Sequence, residues 1–123
     1  MRIRITAGDV SATAVLNDSR TAQAIWEALP ITARANTWGD EIYFSIPVYL
    51  EEENGREVVE TGEVAYWPPG HAFCVFFGRT PVSRGNEIRA ASAVNVCGKV
   101  EGEATVFTRV SNGAKIVLEK IAE

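Results

Sequence analysis

Glu41 and Tyr43 stand two residues apart in E-I-Y-F-S, so an extended backbone puts both on one face. A carboxyl held beside aromatic rings loses its water, its pKa rises, and it becomes fit for general acid–base work. At a solvated strand end the same residue is ordinary surface. Glu87 and Arg89 share that spacing. Arg89 offers a two-pronged donor for a carboxylate or phosphate, or the two residues form a structural ion pair. His71 is the only histidine, and Cys74 follows three residues later. A nucleophile–base pair is conceivable there, but alternation sends Cys74 into the core. A lone histidine also lacks the company a zinc site needs, so neither a metal nor a cofactor is expected. Asn95, polar within an apolar strand, must find hydrogen bonds if buried, as a structural bridge or as a ligand contact. No G-x-G-x-x-G or P-loop occurs.

These groups are placed by a chain that reads as mostly strand. Ile3 and Ile5 alternate with Arg2 and Arg4, and after Ala7-Gly8-Asp9 the alternation resumes through Leu16, predicting an opening hairpin. Asp18 or Ser19 can cap a helix whose apolar stripe is Ala22, Ile25, Trp26 and Leu29, stopped by Pro30. Residues 31–35 are ambiguous. A Trp38-Gly39-Asp40 turn precedes a strand over 41–47, and residues 51–54 read as a solvated acidic loop tip. The stretch 62–81, G-E-V-A-Y-W-P-P-G-H-A-F-C-V-F-F-G-R-T-P, reads as strand, stiff turn, and a nearly all-apolar strand. It carries five of the eleven aromatic residues. Trp38, Tyr66, Trp67, Phe73 and Phe77 line a groove if their rings face outward, or fill the core if they face inward. A strand is expected over 94–100, a short helix or strand over 101–110, an Asn-Gly turn at 112–113 and a last strand to 121.

The 123 residues fit one domain, 1–123, and 46% hydrophobic with 23% charged content is ordinary for a soluble protein. A net charge of −4 argues against a nucleic-acid partner. The M-R-I-R-I-T start carries no signal-peptide pattern, and no apolar run reaches the ~20 residues of a membrane span. Cys74 and Cys97 sit in apolar strand patterns, as two reduced buried thiols would. A cytoplasmic protein with no membrane partner is expected.

Several of these segments resemble cyclophilins: N-D before a T-A-x-x-I-W helix, Y-F-S-I-P, the segment from Gly70 to Val75, and V-N-V-C-G-K-V-E-G. W-G-D-E-I-Y-F, Y-W-P-P-G-x-A-F-C-V-F-F-G-x-T-P and E-I-R-A-A-S-x-V-N-V look like the hallmarks of a small prokaryotic cyclophilin-like family without an agreed activity. The resemblance covers nearly the whole chain. It implies a closed eight-stranded β-barrel with one or two short helices. It does not carry over prolyl isomerase machinery. The cyclophilin Arg matches a position around Ser45, with no Arg between Arg34 and Arg56, and its Gln matches Ala72. The aromatic and His before the F-G-K-V segment have no match in residues 91–96.

Three readings follow. The first is a binding barrel that holds a small molecule or an extended peptide in an aromatic pocket of Trp38, Tyr43, Tyr66, Trp67, Phe73 and Phe77, with Glu41, Glu87 and Arg89 as polar contacts. The second is an enzyme using Glu41 or Glu87, beside Arg89, as acid/base at the barrel mouth. The third is an assembly or regulatory module, since cyclophilin-like domains also occur in larger hydrolase subunits. A homodimer through an exposed strand is compatible with all three.

Overall fold

The computed structural model describes residues 1–121. Ten strands are present: β1 (Arg2–Ala7), β2 (Val10–Leu16), β3 (Ile31–Arg34), β4 (Asn36–Thr37), β5 (Glu41–Ser45), β6 (Arg56–Val59), β7 (Glu63–Trp67), β8 (Ala72–Phe76), β9 (Ile88–Val100) and β10 (Lys115–Lys120). One α-helix, α1 (Arg20–Ala28), and two 3-10 turns, Pro68–Gly70 and Ala104–Arg109, complete them. The expected opening hairpin forms as β1 and β2. The ambiguous stretch 31–35 contains the strand Ile31–Arg34, and 101–110 contains the 3-10 turn Ala104–Arg109.

The strands hydrogen-bond in the order β3-β10-β1-β2-β9-β7-β8-β5-β4, with β6 attached to β9 off this path. The expectation of a closed eight-stranded barrel is therefore corrected: among the described residues there are ten strands, and the ladder does not close. Its two ends, β3 and β4, are consecutive in the chain and flank Ala35. The Ala35 N–H donates to Ala114 O (2.9 Å) and its carbonyl accepts from the Gly113 N–H (2.7 Å). Ala35 thus stays bound to the turn before β10, while β4 turns away to pair with β5.

Alternation decides which side chains enter the core. Ile3, Ile5, Ile42, Phe44, Val64, Tyr66, Phe73, Val75, Ile116 and Leu118 all point into one central cluster. The residues between them on β5, β7 and β8 face the other way. There the long strand β9 leaves the main sheet: its second half pairs with β7, and its first half, with β6, folds over the outer face. A second cluster forms under this flap from Val59, Ala65, Cys74, Phe76, Ile88, Ala90 and Val94. All five residues of β8 are buried for this reason. A strand covered on both faces reads as a continuous apolar run.

Helix α1 starts at the Ser19 cap, whose Oγ accepts the Ala22 N–H at 3.1 Å. Its Ala22 and Ile25 are buried against the central cluster.

Candidate functional site

The site is built on the β4–β5 hairpin. The Trp38 N–H donates to Glu41 O (2.9 Å) and the Glu41 N–H to Trp38 O (3.2 Å), closing a tight turn over Gly39 and Asp40. Gly39 has φ +60°, which a side chain rarely adopts, and a Cβ there would lie 2.9 Å from Arg79 O and Pro81 Cδ. The tip is therefore pressed against residues 79–81, and the Asp40 N–H donates to Arg79 O at 2.9 Å. Residues that close a hairpin directly opposite each other share a face, so Trp38, Glu41 and Tyr43 project together. Across β5 and β8, Glu41 pairs with Phe76 and Tyr43 with Cys74, which places all of them on the outer, flap-covered face.

Trp67 reaches the same place from the end of β7. Its indole N–H donates to Ser92 Oγ at 2.7 Å. Behind it, the 3-10 turn Pro68–Gly70 packs so closely that a Cβ on Gly70 would stand 2.7 Å from the indole ring. A side chain at that position would have to displace the indole.

Trp38, Glu41, Tyr43 and Trp67, with Ala90, Ala91 and Val94 of β9, enclose a cavity of about 250 Å³. The three aromatic residues are half-buried, whereas Glu41 is only 5% exposed. Burial pushes its carboxyl up to about 7, against a smaller opposing effect of a hydrogen bond with the Cys74 thiol. Among the described residues no arginine, lysine or histidine pairs with Glu41. Cys74 is pushed well above its ordinary value by burial first, and then by Glu41.

The structure brings four of the sequence candidates together and separates six. Of the rings that could face a groove or the core, Tyr66, Phe73 and Phe77 belong to the central core and do not line the cavity. Tyr66 and Trp67 are adjacent on one strand and so must face opposite sides. The Tyr66 hydroxyl donates to Val48 O (2.6 Å), accepts from the Leu50 N–H (3.1 Å) and lies 3.2 Å from His71 Nδ1. It tethers the 48–50 segment. His71 makes an edge contact with Tyr49 at 4.7 Å, away from Cys74's cluster.

Glu87 and Arg89 do not line the cavity. Arg89 Nε donates to Glu87 at 2.6 Å and its Nη1 to Glu57 at 3.2 Å, an ion-pair cluster that clips β6 to β9. The bond to Arg89 lowers the Glu87 pKa, the opposite of what an acid/base role at pH 7 needs.

Asn95 is a structural bridge. Its Nδ2 donates to Thr21 Oγ1 (3.1 Å) and Glu51 O (2.9 Å), and its Oδ1 accepts from the Glu53 N–H (2.8 Å). Glu53 in turn accepts from the Thr21 hydroxyl (2.7 Å), the Thr21 N–H (2.9 Å) and the Arg20 N–H (3.2 Å) at the start of α1. The acidic tip at 51–54 is thus half structural: Glu53 covers the donors of a helix N-terminus.

Ala90, Ala91 and Val94 were missed as site residues. Their signal was the paired small residues of E-I-R-A-A-S, which leave room where larger side chains would fill the flap. Among the described residues no three His, Cys, Asp or Glu side chains are grouped to hold a metal ion. No helix among them is long and apolar enough to cross a membrane.

A family model described as Cyclophilin-like matches residues 1–119. The solution structure of a hypothetical protein from Archaeoglobus fulgidus is similar at 44% identity over 98% of this chain and 95% of that one, with a TM-score of 0.84. No curated protein matches. The family match spans nearly the whole sequence and the structural match nearly the whole fold: the chain belongs to the Cyclophilin-like family.

Proposed function

We propose that this chain is a binding module without prolyl isomerase machinery, whose aromatic cavity takes a small molecule or one side chain of an extended peptide. The observation that supports it is a carboxyl only 5% exposed and without a cation, set among Trp38, Tyr43 and Trp67 at a cavity of about 250 Å³. Binding sites are typically concave, mostly apolar and marked by a few polar groups that fix orientation. Ser45, around which the resemblance puts the isomerase arginine, is exposed and donates its hydroxyl proton to Gly70 O at 3.2 Å. No arginine lines the cavity.

A thermal-shift screen against metabolites and proline-containing peptides tests this reading. A compound that raises the Tm of the wild type, but not of Trp38→Ala or Glu41→Gln, places its site here. If every stabilising compound acts equally on both variants, the cavity is not the binding site. A protease-coupled isomerase assay is expected to show no rate above background.

A second reading rests on the Glu41 carboxyl at about 7, where a general acid or base operates best at neutral pH. It makes the module an enzyme that moves a proton on a bound substrate. Turnover of a stabilising compound, lost in Glu41→Gln with binding retained, would establish it; binding without turnover leaves the module as a receptor.

A further inference from the structure

The cavity lining holds one carboxyl, that of Glu41, and no basic side chain; its other polar groups are the neutral Tyr43 hydroxyl and the indole N–H groups of Trp38 and Trp67. Arg89, the arginine of the adjoining strand, is occupied by Glu87 and Glu57. An anionic ligand would meet a carboxyl and no counter-charge. A neutral apolar ligand would leave a buried carboxyl without a partner cation, which is costly once it ionises. A cation would do the reverse. It supplies the missing charge, and an ammonium N–H supplies a charge-assisted donor to the carboxylate. Trp38, Tyr43 and Trp67 are the residue types whose ring faces attract cations, tryptophan most strongly.

Resting on the binding reading above, we propose that the ligand is an organic cation, a protonated alkylamine or an amine-bearing side chain, with its ammonium against Glu41 and its carbon framework against Trp38, Tyr43 and Trp67. The groups facing Glu41 are few: Tyr43 on its own strand and the Cys74 thiol on β8, with only apolar side chains from β9. Titration at this site is therefore dominated by the carboxyl itself. The bound cation favours the ionised form, so binding below pH 7 releases a proton from Glu41, and affinity rises as pH is raised from 5 to 8.

The test is an NMR titration of the indole N–H signals of Trp38 and Trp67 with n-butylammonium chloride, n-butanol and sodium butyrate at pH 8 and constant ionic strength. The expected result is movement of both signals by butylammonium at a concentration at least about tenfold below that needed for butanol, with butyrate weakest, since each charge-assisted contact is worth that order of discrimination. In Glu41→Gln the cation preference falls to parity with butanol. Equal response to butylammonium and butanol in the wild type overturns the cation and leaves the pocket standing. Preference for butylammonium that persists in Glu41→Gln overturns the role of the carboxyl. No movement of either indole with any of the three overturns this inference together with the binding reading. The wild-type comparison of three probes holds whether or not the variant folds.

Discussion

Glu41 and Glu53 are two carboxylates shielded from water, and the chain treats them in opposite ways. Glu53, its side chain 17% exposed, accepts three hydrogen bonds at the start of α1, and the Thr21 hydroxyl and backbone hold its pKa below the ordinary value. Glu41, deeper still, has only the Cys74 thiol beside it and is pushed up to about 7. The first carboxylate is fully used by the fold. The second stands at a cavity with a thiol beside it and no cation. Burial alone therefore does not single out a candidate carboxyl; burial without a paired cation does, because the fold bears a cost that no ion pair returns.

The sharpest way to break the Glu53 side of this contrast is Asn95→Ala. It leaves the Glu51 carbonyl and the Glu53 N–H without their buried partner and frees the loop that carries Glu53. The expected loss is roughly 3 kcal/mol, seen as a fall in the denaturant midpoint. A loss no larger than that of a surface substitution would mean that the bridge is incidental.

Glu41→Gln should act in the other direction. The folded carboxyl titrates near 7 and the unfolded one near 4.5. The folded state therefore holds the extra proton: this contribution to stability is full below about 4.5 and is lost as pH rises through 7. Removing the charge is expected to stabilise the protein by roughly 2 kcal/mol at pH 8.5, raising the Tm by several degrees, with little difference left at pH 4. A variant that is less stable than wild type at pH 8.5 would show that the carboxylate is compensated after all.

Gly70→Ala is the mildest change and tests the cavity wall. The added Cβ must displace the Trp67 ring, at a cost of about 1–2 kcal/mol in stability. The Trp67 indole signal should shift, and any cavity ligand should bind more weakly, while the Glu53 region is untouched.

Much of this was legible from the residues. Alternation in R-I-R-I-T and the stripe Ala22, Ile25 and Leu29 with Pro30 behind it gave elements that the structure contains. The i, i+2 spacing of Glu87 and Arg89 left a ligand contact or an ion pair open, and the ion pair is what forms. The cavity was legible only in part, for two reasons. Because β8 is buried on both faces, its composition carries no sign of which face is the core, so Phe73, and Phe77 just beyond the strand, could not be told from pocket residues by hydrophobicity. Parity did hold the answer for Tyr66, since it and its neighbour Trp67 cannot share a face. The role of Glu53 depends on Thr21, 32 positions away, and no local pattern encodes it. The open ladder is equally non-local, set by what Ala35 bonds to.

Whether Glu41 is a carboxyl without a compensating cation at a cavity is decided by its own titration. Carboxyl carbon shifts followed by NMR from pH 3 to 9, assigned by comparison with Glu41→Gln, give its pKa in the folded protein. A midpoint near 7 is expected, with the Trp38 indole signal moving over the same range. A midpoint near 4.5, or below it as for Glu53, would contradict it: the carboxyl would then be solvated or paired, and the cavity would lose its one distinguishing group.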